Sequence, residues 1–383
     1  MAAAGAPHSQ ARPRARGLGV PFEGTPGPLN AITDVAGVTV GHATIISGDG
    51  PLIVGKGPVR TGVTAVLPRG RDTLQKPSFG AWFSLNGNGE MTGTTWVEES
   101  GFLEGPVLIT NTHSVGVVRD AAIAWRLKAG PPDPSGFWWA LPVVAETWDG
   151  YLNDINGMHV KPEHVFRALD EAAGGRVAEG SVGGGTGMVC YGFKGGIGTA
   201  SRLLGPKHGG YTVGVLLQAN FGLRRQLIVA GVPVGKEIAE GDARDGAGAG
   251  AGDTEAGSVI VVLATDAPLL PHQLKRLARR VSLGLARTGA LSGNGSGDIF
   301  VAFSTANSGA FTASGLAKVE MVSNEDISPL FDATALATEE AVVNALVASD
   351  TMTGVSNRRV IGLPHDRLRE VLRKYNRLVN PAS

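Results

Sequence analysis

The Gly257-Ser258 dipeptide is where this sequence could most readily do chemistry, because of what flanks it. Before it lies GDARDGAGAGAGDTEAG (241–257), with no apolar side chain larger than alanine. Such a stretch cannot bury enough surface to order itself, so it is predicted to be a flexible linker. After it comes SVIVVLATDAPLL (258–270), whose opening apolar run reads as a central strand buried on both faces. Elsewhere a Gly-Ser pair would be an ordinary turn. Here, cutting the Gly257–Ser258 bond would leave Ser258 as a chain terminus carrying both a hydroxyl nucleophile and an α-amine. That amine, with an ordinary pKa of ~7.7–8.0, is a base that needs no histidine. Glycine suits such a cut, since attack on the preceding carbonyl needs a bond that can twist and a neighbour that is not bulky.

Other chemistries fall on spacing. VGGGTG and FKGGIGTA, within 181–202, could cradle an anion with backbone N–H groups, but no Gly-Lys-Ser/Thr ends either one. No clean GxGxxG opens a helix after a first strand, and GxSxG is missing. The eight histidines are scattered, and His159 and His164 have no supporting Asp, Glu or Cys constellation, so no metal site is expected. The single cysteine, Cys190 in MVCYG, excludes an internal disulfide framework and reads as a small buried hydrophobe. Thirty-four basic and thirty-four acidic side chains cancel, leaving no summed field for nucleic acid or an anionic membrane. No apolar run approaches the ~20 residues of a membrane helix, and MAAAGAPHSQARPRARG lacks a signal-peptide core. The expectation is a soluble, cytoplasmic protein without membrane or nucleic-acid partners.

The elements that must position Ser258 read as mixed α/β. Glycine supplies 57 of 383 residues, about twice the usual ~7%, which signals many sharp turns and close backbone contacts. Length alone allows one large domain or two. Strands are expected in AITDVAGVTVGHATI (31–45), GVTAVLPRG (62–70), GPVLITNTHSVGVV (105–118) and YTVGVLLQANFG (211–222). Helices are expected after an N-cap at Ser114, from Pro162, from Pro271 to Gly289, from about Asp332 to Ala348, and from Pro364 to about Arg377. In the third of these, Leu274, Leu277, Val281 and Leu285 form one stripe. Lys275, Arg276, Arg279, Arg280 and Arg287 make a charged side, read as a solvated face or subunit contact.

From about Gly17 to its end the chain resembles the L-aminopeptidase/D-esterase family, which includes the β-peptidyl aminopeptidases. The matching stretches include SLNGNGEMTGTTWVEESGFLEGPVLITNTHSVGVVRDA, VVAETWDGYLNDINGMHV, SVGGGTGMVCYGFKGGIGTASR, LLQANFG, GSVIVVLATDAPLLPHQLKRLARR and SGNGSGDIFVAFSTAN. The resemblance implies a four-layer αββα sandwich and a cofactor-free N-terminal-nucleophile hydrolase acting on short peptides, amides or esters. It also implies a precursor that cuts itself into a larger chain (1–257) and a smaller one (258–383), which together form one catalytic domain. Members are typically oligomers of the processed heterodimer, often tetramers.

By that resemblance Ser258 is the nucleophile, and Ser296 and Asp298 in GNGSGD are the hydroxyl and carboxylate that support it. Such a pair could assist proton transfer before an amine exists and hold the ammonium afterwards. Asn220 in LLQANFG matches the oxyanion-hole amide, a satisfied core amide being the plain alternative. Glu146 in AETWDG matches the carboxylate that receives the substrate's free amine. Where some members carry a tyrosine aimed at the oxyanion, this sequence has Trp148, which would wall the acyl pocket, with Tyr151 three residues on. The second oxyanion donor therefore stays open. Asn111, Thr112 and Asn86 are further pocket-lining candidates at strand ends. The ornithine acetyltransferase type also self-cleaves, but at threonine, and Ser258 speaks against it. A binding protein that keeps the uncut fold is the non-enzyme alternative.

Overall fold

The computed structural model describes residues 13–130, 139–243, 256–312 and 314–380, so most of the predicted linker, 244–255, lies outside the described residues. In chain order the strands are β1 (Thr39–Ser47), β2 (Val59–Arg71), β3 (Ser78–Gly87), β4 (Phe102–Leu103), β5 (Val107–Asn111) and β6 (Val143–Thr147). Then come β7 (Val189–Cys190), β8 (Phe193–Lys194), β9 (Gly196–Leu203), β10 (Thr212–Asn220), β11 (Ala256–Thr265) and β12 (Gly295–Ser304). The helices are α1 (Thr94–Ser100), α2 (Val115–Ala129), α3 (Pro162–Asp170), α4 (Val234–Glu237), α5 (Pro271–Arg287), α6 (Ser328–Val347) and α7 (His365–Lys374).

Two sheets face each other, one ordered β1-β2-β5-β6 and the other β4-β3-β12-β11-β10-β9. Alternation along β11 shows why its sequence is apolar throughout. Ile260, Val262 and Ala264 meet Ile109, Val107 and Ala145 of the opposite sheet, while Val259, Val261 and Leu263 join Leu274, Leu277 and Val281 of α5 on the other face. On the far side, Val63, Ala65, Leu108 and Val144 pack under Val118, Trp125, Val165 and Leu169 of α2 and α3. The result is the expected αββα order of layers.

Three local expectations are corrected. Residues 32–34 form a 3-10 turn rather than strand, because the Asp34 carboxylate accepts from Leu29 N at 2.9 Å, Ala31 N at 3.1 Å and Ser201 Oγ at 2.6 Å. Those bonds satisfy locally what a ladder would have satisfied. Ser114 precedes α2 but makes no side-chain capping bond, since the chain enters the helix through a 3-10 turn over Thr112–Ser114. Finally β11 begins at Ala256, two residues before Ser258, because Gly295 and Ser296 of the parallel β12 pair with Ala256 and Gly257. Cys190 is fully buried, as expected. Among the described residues no helix is long and apolar enough to cross a membrane.

Candidate active site

Ser258 lies between two strands, opposite Asn220 of antiparallel β10 and Gly297 of parallel β12. The strands close tightly here: a Cβ on Gly257 would sit 2.2 Å from the Asn220 carbonyl oxygen, so only glycine fits. The buried Ser258 hydroxyl donates to the Gly257 carbonyl oxygen at 2.7 Å and accepts from Gly297 N at 3.3 Å. It thus rests against the carbonyl that a self-cleaving serine attacks. Ser296 and Asp298 stand on either side of Gly297, both buried, with the Ser296 hydroxyl donating to Asp298 Oδ1 at 2.7 Å. A carboxylate in that position orients and polarises the hydroxyl, equipping it to pass a proton.

Asn86 spends its side chain on the backbone. Its Oδ1 accepts from Asp298 N at 2.9 Å, and its Nδ2 donates to the Ser292 and Gly293 carbonyls at 3.0 and 2.9 Å. It clamps the glycine loop where the β3–β12 register slips, and so fixes the backbone that carries Ser296 and Asp298.

The Asn220 side chain is held from both ends. Its Oδ1 accepts from Val189 N at 2.8 Å, and its Nδ2 donates to the Trp148 carbonyl at 2.9 Å. One hydrogen of Nδ2 is thereby used, and an amide nitrogen has a second. Trp148 is 48% exposed, its ring lies over Gly150, where a Cβ would meet it at 2.6 Å, and its carbonyl accepts from Asn220 Nδ2. Tyr151 donates its hydroxyl to the carbonyl of the buried Ala243, so the first residues of the predicted linker are packed against the fold.

Glu146 is buried at the end of β6. Its Oε1 accepts from Glu90 N at 3.0 Å, and its Oε2 accepts from the Thr112 hydroxyl. Burial pushes its pKa up, while the Thr112 and Glu90 bonds oppose the rise. A Cβ on Gly89 would stand 3.2 Å from both Glu146 Oε1 and Gly297 Cα, so this carboxyl approaches the backbone that contacts Ser258. Two donors leave carboxylate lone pairs for an ammonium.

Beneath lies a second polar group that sequence reasoning missed. Asn111, expected to touch substrate, instead donates from Nδ2 to Thr61 Oγ1 at 2.8 Å and is buried beside Asp149, because β5 ends under the opposite sheet. The Asp149 carboxyl takes Asn153 Nδ2 at 3.0 Å, and burial pushes its pKa up to about 6. Lys194, with no exposed surface, donates from Nζ to the carbonyls of Met188 at 2.9 Å, Gly195 at 2.8 Å and Gly185 at 3.4 Å. Burial lowers its pKa to about 7. The available signal was a lone lysine in the otherwise apolar and glycine-rich VCYGFKGGIG.

Residues 30–360 match peptidase family S58. The chain is 56% identical to the beta-peptidyl aminopeptidase BapA of Sphingosinicella microcystinivorans, over 96% of this chain and 93% of that one. Its fold superposes on an L-aminopeptidase D-Ala-esterase/amidase from Ochrobactrum anthropi, a prototype for the serine aminopeptidases with a variant of the Ntn hydrolase fold. The TM-score is 0.88 and the identity 48%, covering 96% of this chain and all of that one. A Burkholderia beta-aminopeptidase superposes with a TM-score of 0.83 at 48% identity, covering 94% of this chain and 98% of that one.

Proposed function

The chain belongs to peptidase family S58, is an aminopeptidase with an Ntn hydrolase fold, and hydrolyses peptide bonds; we propose that it does so with Ser258, after cutting its own Gly257–Ser258 bond. In the cut, Ser258 Oγ adds to the Gly257 carbonyl carbon, the C–N bond breaks, and the hydroxyl proton ends on the released amine, leaving an ester. Water then hydrolyses the ester, giving a Gly257 carboxylate and a free Ser258 amine and hydroxyl. The observation that carries this reading is the Ser258 hydroxyl lying 2.7 Å from the Gly257 oxygen, on a strand junction where only glycine fits.

In turnover the Ser258 amine takes the hydroxyl proton, directly or through Ser296, whose bond to Asp298 holds it in place. The alkoxide attacks the acyl carbon, and the second Nδ2 hydrogen of Asn220 stabilises the oxyanion. The leaving amine departs with the proton, and water releases the acyl group from Ser258. Glu146 receives the substrate's ammonium, which makes the enzyme specific for free N-termini. Relatives named beta-peptidyl aminopeptidases support β-peptides as substrates, and the Ochrobactrum enzyme, an L-aminopeptidase and D-Ala-esterase/amidase, supports L-residue peptides and D-alanine esters and amides. The same reading takes no cofactor and places the enzyme in the cytoplasm as an oligomer of processed heterodimers. Its single, buried Cys190 accords with a reducing compartment.

Ser258→Ala tests the reading: it should accumulate as one uncut chain with no measurable peptidase activity. A cut or active Ser258→Ala protein would remove Ser258 from both steps.

A further inference from the structure

Lys194 is a buried lysine with no role in the reaction as written above. No carboxylate lies within ion-pair distance of it among the described residues, and its three recorded Nζ partners are backbone carbonyls of the loop 185–195. Asp149 and the Cys190 thiol are the ionisable groups whose charge reaches it. Burying an ammonium against carbonyls alone is costly, so its retention calls for a reason.

The reason lies in one peptide group. The carbonyl oxygen of the Met188–Val189 peptide accepts from Lys194 Nζ at 2.9 Å and from Gly195 N at 2.9 Å. The N–H of the same peptide donates to Asn220 Oδ1 at 2.8 Å. A charge on the oxygen side of an amide makes its N–H a stronger donor, and such chains of hydrogen bonds reinforce one another in a low-dielectric interior. A stronger pull on Asn220 Oδ1 in turn makes the Asn220 amide nitrogen a better donor. Lys194 is itself anchored, its backbone N donating to the Ile361 carbonyl at 2.7 Å. Its ammonium is therefore presented to the loop by the strand rather than swinging freely.

We infer that Lys194 is a positioning residue for the oxyanion donor: it fixes and polarises the Met188–Val189 peptide that grips Asn220. This rests on the reading of Asn220 as the oxyanion amide. Lys194 itself touches no reacting atom.

The test is a double-mutant cycle on the processed enzyme, with a chromogenic amide substrate, reading kcat and KM separately. Loss of an oxyanion donor costs on the order of 100-fold in kcat, so Asn220→Ala should fall by about that, and Lys194→Met by about tenfold with KM nearly unchanged. The double variant should be no slower than Asn220→Ala alone, because Lys194 acts only through that amide. Lys194→Gln keeps a donor for the Met188 oxygen without the charge; it should lie between the parent and Lys194→Met, and it replaces Lys194→Met in the cycle if that protein does not fold. Losses that multiply in the double variant would overturn the role of Lys194 while leaving Asn220 in place. An Asn220→Ala enzyme with the parent's kcat would overturn the oxyanion reading itself.

Discussion

Two buried basic side chains, Arg202 near the end of β9 and Lys194 just before its start, are held in opposite ways. At the far end of β9, Arg202 has a carboxylate partner, Glu340, at 2.8 Å, and Glu340 is gripped in turn by Arg16 at 2.8 Å. The Arg202 guanidinium also donates to the carbonyls of Glu23, Ser201 and Leu336 at 2.8, 2.7 and 3.1 Å. Every part of that group has a partner, and the cluster ties the N-terminal segment to α6 and the sheet. Just before the near end, Lys194 is as fully buried but meets only carbonyls. A matched charge welds elements together. An unmatched one keeps its field for whatever lies nearby, which here is the loop that holds Asn220.

That contrast can be broken by mutation. Arg202→Met should cost the most stability, about 3–5 kcal/mol in denaturant unfolding, because it leaves buried Glu340 with Arg16 as its one cation among the described residues and strips the Glu23, Ser201 and Leu336 carbonyls of a charged donor. The folded fraction should keep the parent's kcat. If that variant lost turnover while remaining folded, the division between structural and site-directed charge would fail.

Asp149→Asn gives the smaller effect and sharpens the comparison by asking whether Lys194 has a hidden partner. The Asp149 carboxyl is raised from 3.8 to about 6 by burial, a shift corresponding to about 3 kcal/mol. A carboxyl raised on folding stabilises the protein below its unfolded pKa and loses that contribution as pH climbs through the folded one. The parent should therefore lose up to about 3 kcal/mol relative to Asp149→Asn between pH 4 and pH 7. A variant that instead weakens relative to the parent at neutral pH would mean that Asp149 pairs with Lys194, and the contrast with Arg202 would collapse.

How far the sequence could be read follows from how local each signal was. SVIVVLAT is legible as a central strand because both its faces are apolar, and the structure buries both. Ser296 and Asp298 are legible only through the family resemblance of GNGSGD; the strand then sets them two apart around one glycine, where the hydroxyl reaches Asp298 Oδ1 at 2.7 Å. The start of β11 is less legible: Ala256 and Gly257 look like the tail of a linker, and only the ladder with Gly295 and Ser296 makes them strand. Asn86 and Asn111 have the composition of pocket residues, yet each is taken up by a partner distant in sequence, Asn86 by Ser292 and Gly293 and Asn111 by Thr61. Lys194 carries only a weak local mark of burial, a lone lysine in the apolar, glycine-rich VCYGFKGGIG. Its contact with the Met188 carbonyl appears only once the 188–195 segment folds back on itself beside Asn220 of β10.

The most direct test of the central claim is the intact mass of the purified wild-type protein, with N-terminal sequencing of whatever chains it contains. The account predicts two chains, one ending at Gly257 and the other beginning SVIVV, present in equal amounts. A single full-length chain that persists through long incubation and still hydrolyses peptides would contradict it, because Ser258 would then have no amine to act as its base.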